Sequence, residues 1–424
     1  MKTLKVILIG AGNRGQSYTN LMTDERYQVV GVADLKKEQR DYIKDKHHIS
    51  EENCFDTWEK MLDRPKFADA AIIATSDRDH FAPAMKALEM GYDLLLEKPA
   101  APTYEDCVQI AEKAEKLGRK VLVCHVLRYS PFFRKIKQML ENGDVGKVWS
   151  IHHCECVGHV HQSHSFVRGN WGNKEKSAPM ILAKSCHDMD ILQWLIGSDC
   201  KRVQSFGSLS YFVKENAPED APEYCIEGCP HGENCHYNAV KLYLEDKENL
   251  WFREAATKDK KPTDETVAKA LRETQYGKCV FKCDNDVVDH QVVNLEFENG
   301  AVASFNMSAF NKGGRTIRIM GTEGEIWGDM ENDVIEYFSF KTKTTTRTNS
   351  SENPVDASIL GGHGGGDAGI VNEFYNYLAK DERGTFLSEI GISVKNHAIA
   401  FAAEESRISG NVVSMKEFEA RSFT

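Results

Sequence analysis

A short apolar run at residues 5–9 ends in Gly10-Ala11-Gly12-Asn13-Arg14-Gly15, and an amphipathic stretch follows. Glycines at these spacings let a tight turn close and let backbone N–H groups approach a pyrophosphate, which the next helix N-terminus then stabilises. The following strand-like run ends at Asp34, about 20 residues past the fingerprint, where a carboxylate accepts ribose hydroxyls and repels a 2′-phosphate. The pattern predicts NAD rather than NADP, held around Gly10, Gly12, Asn13, Arg14, Gly15 and Asp34. Arg14 is the one member whose charge would also suit a phosphate. A cofactor site of this kind fixes no reaction, because many chemistries share the fold.

Two further groups could hold a substrate oxygen or move a proton. Lys98, in Glu97-Lys98-Pro99 after a later strand, presents an ammonium that can hold a substrate oxygen and, if desolvated, take part in proton transfer. His187 offers an imidazole that titrates near neutrality and can accept a hydroxyl proton. Lys184 precedes it by three residues and shares its face if both lie on one helix start. Asp190 either orients the ring or helps begin the helix that buries Ile191, Trp194 and Leu195. A surface lysine beside a loop proline, and a structural histidine before an apolar helix, are the readings that the isolated residues leave open.

The elements that must position these groups follow from hydrophobic pattern. Residues 5–9, 28–33, 70–74, 92–96 and 120–124 are short apolar runs separated by amphipathic stretches, the mark of βαβ units and a parallel sheet. Thr103 and Asp106 form a capping pair for a helix expected to run to Leu117 and stop at Gly118. After residue 125 longer, alternating runs suit an antiparallel or mixed sheet with one solvated face. Residues 292–310 alternate around Glu298-Asn299-Gly300, a hairpin signal, and residues 315–327 repeat the pattern around Gly321 and Gly324. Residues 245–278 read as a charged, solvated insertion, and the Thr-rich residues 341–351 as a strand end or loop. The expected organisation is α/β: an N-terminal Rossmann domain over residues 1–125 and a C-terminal α/β domain with an open, largely antiparallel sheet over residues 126–424.

Composition narrows the partners. The 424 residues are 41% hydrophobic and 28% charged, with a net charge of −11, a soluble globular profile whose field repels nucleic acid and anionic lipid. No apolar run reaches the roughly 18 residues of a spanning helix. The run from Leu4 to Gly12 lacks a signal-peptide cleavage pattern, so the 12 cysteines are expected as thiols in the cytoplasm. Cys225, Cys229 and Cys235, with His231 and His236 among them and Cys279 and Cys283 further on, have spacings that suit structural zinc, buried thiols or a loop clamp.

Three landmarks fall in order along the chain: Ala74-Thr75-Ser76-Asp77-Arg78-Asp79-His80, Glu97-Lys98-Pro99 and Cys186-His187-Asp188-Met189-Asp190. With the fingerprint they resemble the Gfo/Idh/MocA family, which includes glucose-fructose oxidoreductase and inositol dehydrogenase. The resemblance covers nearly the whole chain. It implies NAD-dependent oxidation or reduction of a secondary alcohol on a sugar, sugar derivative or cyclitol, and a homo-oligomer built on the open sheet. It implies Lys98 between nicotinamide and substrate and His187 as the catalytic base. It also places Thr75, Ser76, His80 and Glu97 at the cofactor. The family commonly has an aspartate four residues before the histidine; Ala183 stands there, so Lys184 joins Lys98 and His187 as an auxiliary, and two nearby ammonium groups would lower each other's pKa.

Arg128 and Tyr129 follow the last Rossmann strand and are expected near the nicotinamide and the substrate. Arg168 and Trp171, with Asn170 beside them and His159, His161 and His164 upstream, offer donors and an aromatic face to a sugar. His363, in the glycine-rich residues 361–367, resembles a family segment that approaches substrate. Two other classes compete with simple dehydrogenation: a glycosidase that oxidises, eliminates, hydrates and reduces, and a non-catalytic NAD or sugar sensor. A sensor would need neither Lys98 nor His187.

Overall fold

The computed structural model describes residues 2–350, 362–381 and 387–421; Ser351 and Gly361 lie outside them. Six strands form the first sheet: β1 (Leu4–Ile9), β2 (Tyr27–Ala33), β3 (Cys54–Phe55), β4 (Ala70–Ile73), β5 (Asp93–Leu96) and β6 (Val121–Val123). They are all parallel, in the order β3-β2-β1-β4-β5-β6. Strand order reverses between β1 and β4, which opens the crevice where dinucleotides bind. A strand covered on both faces must be apolar throughout, as β4 is at all four positions. Five strands match the expected runs to within a residue at either end, whereas the two-residue β3 is too short to carry a pattern. The Thr103 hydroxyl accepts the Asp106 N–H at 3.1 Å, and the helix Tyr104–Leu117 ends at Gly118, whose φ of +61° suits glycine.

The second sheet has nine strands: β7 (Val148–Cys156), β8 (Cys200–Ser208), β9 (His290–Phe297), β10 (Val302–Ser308), β11 (Gly314–Gly321), β12 (Gly324–Asp329), β13 (Val334–Ser339), β14 (Thr344–Thr348) and β15 (Val413–Ser414). Their order is β14-β13-β12-β11-β7-β10-β9-β8-β15. The β7–β10 pair is parallel and the others antiparallel. The Asn299-Gly300 hairpin joins β9 to β10, with Gly300 at φ +85°. Alternation turns Ile151, His153 and Glu155 of β7 and Arg315, Ile317 and Ile319 of β11 inward, onto a core shared with helices Cys186–Ile196 and Ile390–Ser409. The charged stretch lies between β8 and β9 and folds as helices Leu250–Thr257 and Asp264–Glu273 around Tyr243, Phe252, Val267 and Leu271. The threonine run supplies β14, a fully exposed edge.

Helix Gly366–Ala379 returns to the parallel sheet. Ile370, Phe374, Tyr375 and Tyr377 share a core with Leu4, Val6, Leu8 and Tyr18, and the Tyr27 hydroxyl donates to the Val371 carbonyl at 2.7 Å. Side chains from beyond residue 125 thus complete the first core, and they bring the residues just ahead of that helix to the crevice.

Candidate active site

The glycine turn follows β1, and each glycine has its own steric reason. A Cβ on Gly10 would lie 2.5 Å from the Ala74 backbone, at a φ of +90°, and one on Gly15 would lie 2.1 Å from the Gly10 oxygen. A Cβ on Gly12 would meet nothing within 4 Å. Gly12 therefore faces open space at the start of helix Asn13–Asn20, whose N-terminus has no side-chain cap, a cradle that fits a pyrophosphate. At the tip of β2, Asp34 accepts the Ala11 and Lys36 N–H groups at 2.8 Å each, so its carboxylate is fixed beside the turn where an adenosine ribose belongs. These residues fit NAD. Gly12→Ala, whose φ of −70° alanine adopts freely, is expected to leave the melting temperature unchanged and to weaken NAD binding by at least about tenfold, or roughly 1.4 kcal/mol, in calorimetry. Unaltered affinity would remove Gly12 from the cofactor site.

Arg14 does not reach for a phosphate. It donates to Glu97 Oε1 at 2.8 Å, to both oxygens of Asp367 at 2.7 and 2.9 Å, and to the Tyr18 hydroxyl at 2.6 Å. Glu97 also accepts the Tyr18 hydroxyl at 2.6 Å and the Lys98 N–H at 2.5 Å. Burial pushes the Glu97 and Asp367 carboxyls up, but Arg14 and their hydrogen bonds outweigh it and hold both below the usual carboxylate range. This network ties the cofactor helix to the backbone that presents Lys98. Lys98 Nζ donates to the Ala183 carbonyl at 2.7 Å, so a main-chain oxygen anchors the ammonium at the position where the family commonly has an aspartate.

Lys98 faces the imidazoles of His125, His187 and His397 and a second ammonium, Lys184. His187 is 4% exposed, its Nδ1 buried without a partner, with His125 and His363 each 6.0 Å away between ring centroids. Burial first, then the Lys98 charge, lowers the His187 pKa well below its ordinary value, and the ring is a neutral base at neutral pH. His363 bonds Asp367 Oδ1 at 3.1 Å and is lowered to about 4, chiefly by burial. Lys184 Nζ lies 3.3 Å from Glu155 Oε1, and burial lowers its pKa against the opposing Glu155 charge. Glu155 also pairs with Arg315, its register partner across β7 and β11. Arg315 Nε donates to Asp188 Oδ1 at 2.9 Å, and His153 Nε2 stands 2.8 Å from the same oxygen. Sequence reasoning missed Tyr18, His125, His153, Glu155, Asp188, Arg315 and Asp367. The available signal was the inward register of His153, Glu155 and Arg315 in otherwise alternating strands.

Several expected site residues are committed elsewhere. Arg128, 2% exposed, forms a bidentate pair with Asp190 at 2.7 Å for both bonds; a buried guanidinium needs a carboxylate, so neither Arg128 meets the nicotinamide nor Asp190 orients His187. The Tyr129 hydroxyl is buried against Ser388, accepting its N–H at 3.0 Å. Arg168 donates to the Tyr237 and Lys278 carbonyls at 2.7 and 3.0 Å and braces the insertion. The Trp171 indole N–H reaches Asp77 Oδ2 at 3.2 Å, an oxygen shared with the Ser177 hydroxyl at 2.6 Å, which clasps the two units together. His80 is buried with Nδ1 2.7 Å from the Pro99 carbonyl and Nε2 3.2 Å from the Thr75 carbonyl, so it ties loop to loop at the crevice edge. Thr75 donates to the Asp79 carbonyl at 2.9 Å, and Ser76 opens the turn Asp77–Asp79. His164 stacks on Phe252 with 4.0 Å between ring centroids, and His159 Nδ1 lies 3.2 Å from the Asn311 carbonyl; His161 faces the charges of Lys184 and Arg315.

Burial lowers His164 and His397 to about 3 and His363 to about 4, and lowers His125, His161 and His187 as well. Their folded values lie below the unfolded value of about 6.5, so the stability they contribute is complete above that pH. It is lost as pH falls from about 6.5 towards 4, by about 1.4 kcal/mol per pH unit for each ring. Thermal melts should therefore show a steep fall in midpoint between pH 7 and 5; a flat midpoint over that window would contradict the burial of neutral imidazoles.

The Gfo/Idh/MocA descriptions match both units: "Oxidoreductase family, NAD-binding Rossmann fold" over residues 4–125 and "Oxidoreductase family, C-terminal alpha/beta domain" over residues 137–382. The chain is 27% identical over 398 residues to YteT, a Bacillus subtilis protein named as an oxidoreductase, covering 86% of this chain and 88% of that one. It is 26% identical over 207 residues to inositol 2-dehydrogenase of Salmonella typhimurium, covering 48% of this chain and 58% of that one. Its fold is similar to that of levoglucosan dehydrogenase in complex with NADH and levoglucosan, with a TM-score of 0.70 and 17% identity over 98% of this chain and 100% of that one. The chain belongs to the Gfo/Idh/MocA family of oxidoreductases, and its first unit is the family's NAD-binding Rossmann fold.

Proposed function

We propose that the protein transfers a hydride between NAD and a ring secondary alcohol of a sugar, sugar derivative or cyclitol, with Lys98 and His187 handling the hydroxyl proton. The observation that carries this reading is the placement of Lys98 after β5, beside the glycine turn, with the neutral His187 ring close enough for the ammonium to lower its pKa. Bound NAD supplies the hydride acceptor. The Gly12 backbone and the helix Asn13–Asn20 hold its pyrophosphate, and Asp34 takes the ribose hydroxyls. Lys98 Nζ leaves the Ala183 carbonyl for the substrate oxygen and stabilises the charge that grows there as its proton departs. His187 takes that proton. Lys184, paired with Glu155, orients a neighbouring hydroxyl.

The remaining cations of the site are already matched, Arg14 by Glu97 and Asp367 and Arg315 by Glu155 and Asp188, which suits an uncharged polyol. The named substrates of the inositol and levoglucosan enzymes are of that kind. Incubation with NAD and a panel of hexoses, cyclitols and uronates is expected to form NADH; no NADH across the panel, with NAD bound, would overturn the reading. A second reading has one supporting observation: His161, His363 and Lys184 add acid–base groups beyond those a single alcohol oxidation uses. In a redox glycosidase, oxidation acidifies the adjacent C–H, the aglycone is eliminated, water adds and the carbonyl is reduced again. Nitrophenol release from an aryl glycoside without net NADH would select it.

The outward face of the second sheet supports a homo-oligomer. It exposes Phe206, Val302 and Trp327 at 52%, 47% and 39%, an apolar surface of the kind that a second copy covers. Light scattering is expected to give a multiple of the chain mass, and Trp327→Glu to reduce it; a monomer at micromolar concentration would exclude that surface as a stable interface.

A further inference from the structure

The insertion between β8 and β9 contains a feature that hydride transfer does not use. Cys225, Cys229, Cys235 and Cys279 line one cavity of about 30 Å³ together with Ala221, Tyr237 and Phe281. Three residues separate Cys225 from Cys229 and five separate Cys229 from Cys235. An isolated bridge between Tyr224 and Lys278 brings the fourth cysteine beside the first, and Cys225 Sγ lies 3.8 Å from the Lys278 carbonyl. His231 also lines the cavity, but its Nε2 is taken by Asp220 at 2.5 Å. All four cysteines are free thiols.

Beside them lies a buried charge without a counter-ion. Arg168 is 2% exposed, and its guanidinium donates to two main-chain carbonyls and approaches Cys225 Sγ at 4.0 Å. Its NH1 is buried without a partner, and among the described residues no carboxylate pairs with it. The ionisable groups that face it are Tyr243, His164 and the thiols of Cys225, Cys283, Cys279 and Cys235. Arg128, Arg253 and Arg315, the other buried arginines among the described residues, all meet carboxylates. A buried guanidinium needs compensating negative charge, and neutral thiols supply none. Four thiolates around a metal do: a tetrathiolate zinc centre is a net anion.

We propose that Cys225, Cys229, Cys235 and Cys279 form a thiolate-ligated metal centre that organises the insertion, with Arg168 as its counter-charge. Among the described residues no three ligating side chains are spaced to hold a bare ion as they stand. Loading draws the four sulfurs inward around a single zinc ion, the occupant that a cavity of about 30 Å³ can take, and each thiol gives up its proton as it binds. The centre is structural, since four protein ligands leave no open coordination position.

The test is elemental analysis of the full chain, purified without oxygen or added metal. About one zinc per chain supports the proposal. Cys229→Ser and Cys235→Ser should each lose that metal, and Arg168→Met should retain it less tightly against a chelator. Should the variants fail to fold, the wild-type chain decides: native thiol titration should expose about four more reactive thiols after the metal is stripped. Protein that carries no zinc, and whose count of reactive thiols does not change when zinc is offered, would overturn the proposal.

Discussion

Lys98→Met is expected to lower kcat by roughly a hundred- to ten-thousand-fold, the range for losing a group that acts on the proton in the transition state, while NAD still binds. Methionine keeps most of the side-chain volume and forfeits the ammonium charge and its bond to the Ala183 carbonyl, so the fold should survive. NAD affinity is expected to stay within about threefold, or less than 1 kcal/mol, because pyrophosphate and ribose are held by the glycine turn and Asp34. Lys98→Arg should not rescue: a planar guanidinium cannot replace a compact ammonium on one oxygen. Full turnover in Lys98→Met would remove the lysine from the chemistry.

His187→Gln should produce a loss of similar size, again roughly a hundred-fold or more, and it carries a second readout. Burial and the Lys98 charge lower the His187 pKa, so the ring remains an unprotonated base well below pH 6.5. The pH profile of kcat/KM in the oxidative direction should therefore stay flat through the region where an ordinary imidazole, with a pKa of about 6.5, would already be half protonated. Activity should fall only at more acidic pH, and the glutamine variant should lack that acid limb. An acid limb centred near pH 6.5 in the wild type would mean that a solvated group, and not His187, accepts the proton.

How much of this was legible in the sequence depends on how local each signal is. Gly10, Gly12, Gly15, Asp34 and Lys98 sit at strand ends, where the strand itself sets the position of the next residues, and a short window contains the whole signal. Arg128 and Tyr129 also follow a strand, but the short helical turn Val126–Tyr129 buries them, and their partners Asp190 and Ser388 lie 62 and 259 residues away. Glu155 and Arg315 meet only because β7 and β11 pair in register; each strand shows locally that a charge faces inward, but not which charge lies opposite. Asp367 belongs to the crevice because helix Gly366–Ala379 crosses back to the first sheet, a path that no local pattern encodes. The cysteines were visible as spacings, whereas the unpaired guanidinium that gives them meaning comes from Arg168, 57 residues before Cys225.

Hydride transfer assisted by Lys98 and His187 requires the nicotinamide ring to lie beside both side chains. A crystal structure of the NAD complex with an inositol bound in the crevice should place one carbinol oxygen within hydrogen-bond reach of both Lys98 Nζ and the His187 ring, with its carbon against nicotinamide C4. A nicotinamide ring turned away from those two side chains, with Lys98 still bonded to the Ala183 carbonyl and no polyol beside it, would contradict it.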